Sequence, residues 1–321
     1  MSRTSRPYFF EVFAVVNFLI IQMLLWNLTP GPMATLPLVV AGIFPVAIQL
    51  ASGVLIRGLI ARRRRDPTYA QALRSPEWIS DTLRLLLFGS LIVHTYCWIK
   101  LSVPHLHPRL HDANLWRFDQ LLFFGYSPTV LFLNLFSNPP SVLRFIDWTY
   151  ANIFPASAFI GFGYFLSDTR ARLRIAFANG NALLWLTGAW LYVILPALGP
   201  AFRFPEVWLP VAGLLPTTDS LQALLFHNYD RVLHTHFWVS EPIDLILGVA
   251  AFPSLHVGFQ MYVALWMRKL WRFGAIVFGV FLLLIVIGSV VTGWHYLTDG
   301  LAGAALACLS YYSSTRLTRG E

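Results

Sequence analysis

Two clusters of polar residues lie far apart in the sequence, each at the edge of a strongly apolar segment. The first, AFPSLHVG (251–258), places Ser254 and His256 directly after Pro253. The second, TGWHYLTDGLAG (292–303), contains His295 and Asp299. An unpaired polar side chain is costly in hydrocarbon, so each cluster is either a helix cap or a functional site.

The residue types and their spacing predict phosphoryl transfer. His295 and Asp299 are four residues apart and lie on one helical face, so the carboxylate can accept a hydrogen bond from Nδ1 and leave Nε2 as a nucleophile or base. His256 can protonate a leaving oxygen, because the pKa of histidine is near neutral pH. A helix that begins after Pro253 directs free N–H groups toward an anion. These groups suffice without a metal or any other cofactor.

The composition indicates an all-α polytopic membrane protein. Of the 321 residues 57% are hydrophobic and 12% charged, whereas charged residues make up about a quarter of soluble domains. The apolar character extends nearly all round each segment, which favours helices over a β-barrel. We predict about eight transmembrane helices, the sixth being short for a span. They are residues 9–28, 35–57, 82–103, 146–166, 177–198, 253–267, 273–292 and 296–313.

The net charge of +8 is concentrated in alternate connections between these segments, for example ARRRR (61–65). The positive-inside rule then places the basic connections and both termini in the cytoplasm, and both histidine clusters on the extracytoplasmic side. Such blocks of arginine are topology signals that can contact anionic lipid, so nucleic acid is not an expected partner.

No repeat, low-complexity tract or long polar linker divides the chain. We therefore predict one membrane domain, 1–321, with N-terminal helices in 1–103 and a core in 104–321 that contains both clusters. Residues 104–145 and 199–252 mix Trp, Phe, Pro and charged residues, which is typical of short interfacial helices that could cover a lipid-facing site. The oligomeric state is left open.

Both clusters resemble motifs of the type 2 phosphatidic acid phosphatase superfamily, and most closely its inositol phosphorylceramide synthase branch. The similarity rests on FPSLH (252–256) with Gly258, and on His295-Tyr296 followed by Asp299 and Gly303. Weaker similarities are FDQLLFFGYSP (118–128), FIDWTYANIF (145–154) and YVILPALGPAFRFP (192–205). Together these segments cover about residues 115–305. The resemblance implies a phosphatidic acid phosphatase-like helical core.

The resemblance also implies roles for individual residues. His295 corresponds to the nucleophile that is transiently phosphorylated, Asp299 to its orienting carboxylate, and His256 to the acid that protonates the leaving group. Ser254 and the backbone around Leu255 correspond to the phosphate-binding turn. Water as acceptor would make the protein a phosphatase, and a second lipid alcohol would make it a transferase.

Two departures from the superfamily pattern leave the cationic partner of the phosphate unidentified. The third motif opens with Ser-Arg in the superfamily, and Gly288 and Ser289 occupy those positions here. The first motif combines a lysine with Arg-Pro; Lys100 and Pro108 have that spacing, but His107 replaces the arginine, and we attribute the near-match to chance. Candidates for the cation, in order of preference, are Arg203, Arg117 and Lys100.

Other polar residues receive simpler interpretations. HLHPRLHD (105–112) matches no standard zinc spacing and is assigned to a headgroup-facing loop, as are His234 and His236, so no metal site is predicted. Asp147, near the start of a predicted span, either supports the active site or pairs with an arginine. Gly300 and Gly303 are expected to allow close helix packing.

We therefore predict a lipid phosphotransferase at the extracytoplasmic face whose partners are membrane lipids. The donor would be a phospholipid or polyprenyl phosphate, and the acceptor a lipid alcohol such as ceramide or diacylglycerol. Hydrolysis by water is the alternative. A lipid transporter is a less favoured alternative, because transporters place ionisable groups near the midplane between repeated halves.

Overall fold

The computed structural model describes residues 6–27, 31–234 and 245–318, and these ranges contain helices and no β-strand. The all-α prediction is therefore confirmed for this part of the chain. Two 3-10 helices, Pro32–Thr35 and Pro205–Val211, are also present. The α-helices are α1 (Phe9–Leu24), α2 (Pro37–Arg63), α3 (Thr68–Ala72), α4 (Pro76–Leu106), α5 (Asp112–Leu122), α6 (Pro128–Phe136), α7 (Pro140–Leu166), α8 (Ala171–Ile194), α9 (Pro200–Arg203), α10 (Pro216–His234), α11 (Leu255–Leu270), α12 (Arg272–Val291) and α13 (Leu297–Leu317).

Three of the described helices are long and apolar enough to cross a membrane, namely α2, α4 and α12. The chain is thus a membrane protein by this criterion, and the count of eight spans stays a prediction. The predicted sixth span corresponds to α11, which has 16 residues. At 1.5 Å per residue it extends about 24 Å, which is less than the ~30 Å of hydrocarbon in a bilayer.

The chain divides into two compact units. The first comprises Met1–Tyr96, Ala158–Leu186 and Leu309–Glu321, and the second comprises Cys97–Ser157 and Thr187–Cys308. Every residue predicted to belong to the active site falls in the second unit. The division of a single membrane domain at residue 103 stays a prediction.

The first unit contains ion pairs between partly buried helices. Glu11 of α1 accepts a hydrogen bond from Nε of Arg84 in α4 at 2.5 Å. Asp168, after α7, lies 2.7 Å from Nη2 of Arg57 in α2. Each carboxylate is almost fully buried, and its charge is balanced by a guanidinium that is itself only slightly exposed.

Close packing of α13 on α11 organises the second unit. The N–H of Ser254, just before α11, donates a hydrogen bond to the backbone oxygen of Asp299 in α13 at 2.9 Å. A Cβ atom on Gly303 would lie 2.0 Å from the carbonyl oxygen of Ser254, so only glycine permits this approach. The expectation for Gly303 is therefore confirmed, and the two polar clusters of the sequence become neighbours.

Candidate active site

The structure brings His256 and His295 together. His256 is in the first turn of α11 and His295 in the loop between α12 and α13, and their ring centroids are 5.8 Å apart with planes at 87°. Both residues line one cavity of about 380 Å³. A phosphoryl group in this cavity could therefore contact both imidazoles.

Nδ1 of His295 makes its shortest contact with the backbone. It lies 2.8 Å from the carbonyl oxygen of Ala251 and 3.5 Å from Oδ2 of Asp299. Because a carbonyl oxygen only accepts, Nδ1 carries the hydrogen, and in a neutral imidazole Nε2 is left with a free lone pair. The sequence suggested Asp299 for this orienting contact, whereas the shorter one belongs to Ala251.

The surroundings of His295 favour its neutral form. Burial holds the pKa of His295 well below its usual value, and the neighbouring His256 and Lys100 lower it further against the opposing effect of the Ala251 carbonyl. A low pKa keeps the imidazole unprotonated at neutral pH, which is the form that can attack phosphorus.

Asp299 is completely buried beside His295. Its Oδ2 accepts a hydrogen bond from the N–H of Tyr296 at 2.9 Å, while Oδ1 has no hydrogen-bond partner among the described residues. Buried polar atoms are usually paired. The carboxylate thus retains an acceptor atom near an imidazole that would become positively charged on phosphorylation.

His256 is held by side chains of α7. Its Nδ1 lies 2.6 Å from the hydroxyl oxygen of Tyr150, and its ring centroid is 4.2 Å from that of Phe154. His256 is half-buried, so part of the imidazole stays accessible. Tyr150 is within the weakly similar segment FIDWTYANIF, but its residue type gave no reason to single it out.

Ser254 and Leu255, predicted to form the phosphate-binding turn, have structural contacts. The Ser254 hydroxyl accepts a hydrogen bond from the N–H of Val257 at 3.4 Å and thereby caps α11. The Leu255 side chain is buried against Gly188, where a Cβ atom would lie 2.5 Å from it. The described residues that line the cavity include neither of them.

Among the three cationic candidates, the structure places Lys100 beside the histidines. Lys100, near the end of α4, lines the cavity with both of them. Arg203 is exposed at the end of α9, with Cζ 5.6 Å from the ring centroid of Phe204, and Arg117 is exposed on α5. The spacing of Lys100 and Pro108 was the signal that could have moved Lys100 to first place.

The histidine-rich segment after Lys100 makes contacts with backbone carbonyl groups. Nε2 of His105 lies 2.9 Å from the oxygen of Val232, and Nδ1 of His107 lies 2.8 Å from the oxygen of Val193. These contacts occupy one nitrogen of each ring. His234 is exposed near Asp230, and the interpretation of His236 lies outside the described residues.

Two carboxylates of α5 hold the segment that follows His295. Asp119 accepts hydrogen bonds from the N–H of Thr298 at 2.9 Å and from its hydroxyl, at the start of α13. Asp112 accepts from the N–H of Gly199 and from the hydroxyl of Tyr296, both at 2.9 Å. Burial raises the pKa of each carboxyl, and these hydrogen bonds oppose the rise. Sequence reasoning missed Asp119 and assigned Asp112 to a headgroup-facing loop, whereas Asp112 is buried at the start of α5.

Apart from Lys100 and the two histidines, the cavity wall is largely apolar. Asp147 of α7 accepts hydrogen bonds from the N–H groups of Thr217 and Thr218, both at 2.9 Å, and so caps α10, whose first turn lines the cavity. Asp147 therefore supports the cavity wall. Apolar residues that line the cavity include Phe154, Leu198, Leu221, Leu225, Ile246 and Leu247.

The region that contains both imidazoles matches a known protein family. A family model of the PAP2 superfamily matches residues 113–313, which is more than half of the chain. The chain therefore belongs to the PAP2 superfamily, and its membership indicates an activity of the lipid phosphatase or phosphotransferase type. Comparison with curated proteins and with solved structures gave no significant match.

Proposed function

We propose that this protein is a lipid phosphotransferase that moves a phosphoryl headgroup between lipids through a phosphohistidine on His295. The observation that carries the proposal is the pair of imidazoles, 5.8 Å apart, in one cavity. Transfer through a covalent intermediate needs one nitrogen to attack phosphorus and a second group to exchange protons with the leaving and entering oxygens. His295 and His256 supply these two groups.

The reaction has two half-reactions. In the first, Nε2 of His295 attacks phosphorus, the P–O bond to the donor lipid breaks, and protonated His256 gives its proton to the leaving oxygen. In the second, His256 takes the proton of the acceptor hydroxyl. The acceptor oxygen attacks phosphorus, and the P–N bond to His295 breaks. Asp299, 3.5 Å from Nδ1, offsets the positive charge of the phosphorylated imidazole.

Lys100 is proposed as the cationic partner of the phosphate. It is the cationic residue among the described residues that line the cavity. One lysine balances the single negative charge of a phosphodiester, as found in a glycerophospholipid donor, better than the two charges of a monoester. This balance and the apolar cavity wall favour transfer to a lipid alcohol such as ceramide or diacylglycerol. They also fit the inositol phosphorylceramide synthase branch.

We propose that the active site faces the extracytoplasmic side. The candidate span α12 begins at Arg272, just after Arg268 and Lys269, and ends four residues before His295. The positive-inside rule assigns the basic end to the cytoplasm and the His295 loop to the opposite side. With about eight spans both termini are cytoplasmic.

Product analysis tests the reaction. Purified protein is incubated with labelled glycerophospholipids or a polyprenyl phosphate, with and without ceramide or diacylglycerol, and the lipids are identified by mass spectrometry. We expect a labelled headgroup on the added alcohol. Release of a water-soluble phosphate with no transfer would establish hydrolysis instead, and no turnover of any donor would refute both activities.

Trapping the intermediate tests the mechanism. We expect protein-bound label from the phosphate of the donor to be acid-labile and to disappear in His295→Ala. The matched control is His234→Ala, because His234 is exposed and has a side chain of the same type. Label that persists in His295→Ala would contradict the assigned nucleophile, and a transporter would bind the donor without any label on the protein.

A further inference from the structure

A tyrosine from a neighbouring helix, Tyr150, contacts the imidazole of His256. The hydroxyl oxygen of Tyr150 is 2.6 Å from Nδ1 of His256, and Tyr150 is 6% exposed. The two residues belong to different helices, α7 and α11, so the contact fixes the imidazole relative to an element outside its own helix.

The Tyr150 ring has little freedom to move. It packs in an apolar cluster with Val257 and Ile285. On the other side it lies against Gly288 of α12, where a Cβ atom would be 2.8 Å from Cδ2 of Tyr150 and 2.9 Å from its Cβ. The absence of a side chain at position 288 therefore makes room for this tyrosine, and the hydroxyl is held at a fixed point next to Nδ1.

A hydroxyl group suits both protonation states of His256. When Nε2 is the nitrogen that loses and regains a proton, Nδ1 carries its hydrogen in both the imidazolium and the neutral form, and the tyrosine hydroxyl oxygen accepts that hydrogen bond in both. It therefore occupies Nδ1 throughout a cycle in which the imidazole first loses and then regains a proton. Nε2 is left as the nitrogen that exchanges protons with the leaving and entering oxygens.

We infer that Tyr150 is a positioning residue that reserves Nε2 of His256 for proton exchange, and that Gly288 provides the space in which Tyr150 does so. This inference rests on the proposed function. Tyr150 does not touch the phosphorus in this scheme. It acts through the orientation of His256 and through the nitrogen that it leaves free.

The effect of the leaving group on the rate distinguishes positioning of the acid His256 from a general structural loss of activity. An alkoxide needs a proton to leave, whereas nitrophenolate leaves without one, so only the first depends on a correctly placed acid. Two matched donor pairs are used: phosphatidylinositol with hexadecyl p-nitrophenyl phosphate, and phosphatidic acid with p-nitrophenyl phosphate. In single-turnover measurements we expect Tyr150→Phe to slow the first half-reaction on the lipid donors by about 10- to 100-fold. The burst of nitrophenolate from the aryl esters should be unchanged, because it precedes the step in which His256 acts as a base.

Three further variants complete the experiment. Gly288→Ala keeps the hydroxyl but displaces the ring, and it should reproduce the selective loss. Tyr126→Phe removes a hydroxyl at a position that is 66% exposed and should match the wild type on all four donors. In a His256→Ala background, Tyr150→Phe should cause no further loss, because a residue that acts through His256 has nothing left to position.

Several outcomes would overturn the inference. They are wild-type turnover in Tyr150→Phe, an equal loss on lipid and aryl donors, and an additional loss in the His256→Ala background. Nitrogen-15 NMR of labelled histidine tests the contact without turnover, since the His256 Nδ1 resonance should move in Tyr150→Phe. A wild type inactive on all four donors would refute the proposed function, whereas an unmoved resonance would refute the contact.

Discussion

The two histidines of the candidate site are held in different ways. His295 contacts a backbone carbonyl at 2.8 Å, and the residues that follow it are fixed by Asp112 and Asp119. His256 depends on one side-chain hydroxyl at 2.6 Å and on an adjacent aromatic ring. Both contacts can keep the hydrogen on Nδ1 and leave Nε2 to react. The carbonyl beside His295 can only accept and so enforces that tautomer, whereas the hydroxyl beside His256 could also donate and does not by itself exclude the other tautomer.

Replacing each histidine tests this division most directly. We expect His295→Asn to reduce turnover to the uncatalysed background and to abolish protein-bound phosphate, because no nucleophile remains. His256→Asn should lower turnover of lipid donors by about 10²- to 10⁴-fold, the usual contribution of an acid or base, and should still accumulate label from an aryl ester. Rates and trapped label are measured together. Equal labelling of both variants would remove the distinction between them.

Loss of Lys100 should affect both histidines alike, because Lys100 lines the cavity beside both. We expect Lys100→Met to lower kcat/KM by about 10- to 100-fold, since a charged partner of the phosphate is lost. Formation and breakdown of the phosphoenzyme should slow together in single-turnover measurements. Lys269→Met, at the end of α11, is the control. A Lys100→Met variant with wild-type kinetics would return Arg203 and Arg117 to consideration.

Replacing Asp299 tests which group holds the imidazole of His295. Because Ala251 makes the shorter contact with Nδ1, we expect Asp299→Asn to lower turnover by only about tenfold. This is the low end of the usual loss when a residue that orients a functional side chain is replaced. The phosphorylated intermediate should break down at a changed rate, because the amide no longer offsets the positive charge of the imidazole. Stopped-flow measurement of both half-reactions checks this, and complete loss of labelling would show that the carboxylate holds the tautomer instead.

The smallest effect is expected at Asp119, which caps α13. Asp119→Asn keeps one acceptor oxygen but loses the charge, and we expect the free energy of unfolding to fall by about 1–2 kcal/mol with activity nearly retained. Thermal unfolding in detergent measures the change, with the exposed Asp230→Asn as a control. A larger loss of activity than of stability would mean that Asp119 controls the position of His295 itself.

The sequence predicted the helical class and singled out the two histidine motifs as candidate catalytic residues. The apolar segments were sufficient for the helical class, and the two histidine motifs for the superfamily, which the family match over residues 113–313 confirms. The roles of the individual residues stay predictions. Ala251 could not be predicted, because any residue type supplies a carbonyl and only the folded chain shows which one reaches His295. Lys100 was placed after Arg203, because its spacing from Pro108 was attributed to chance and the sequence does not say which side chains line the cavity.

Tyr150 and Asp119 show a second limit. Both sit in segments that were noticed only for weak similarity, where aromatic and charged residues are typical of any membrane interface. Their contacts join positions more than a hundred residues apart, 150 with 256 and 119 with 298. Pairings of this kind depend on how the helices pack, which residue type and local periodicity do not specify.

The missing side chain at Gly303 has a consequence for how a lipid enters. The backbones at the start of α11 and in α13 are in direct contact there, so the segments that carry His256 and His295 are coupled. Widening the cavity by drawing the two imidazoles apart would break that contact. For the lipid donor proposed above, we therefore expect any widening of the cavity to involve the lining residues of α10 and residues 246–250, while the two imidazoles keep their spacing.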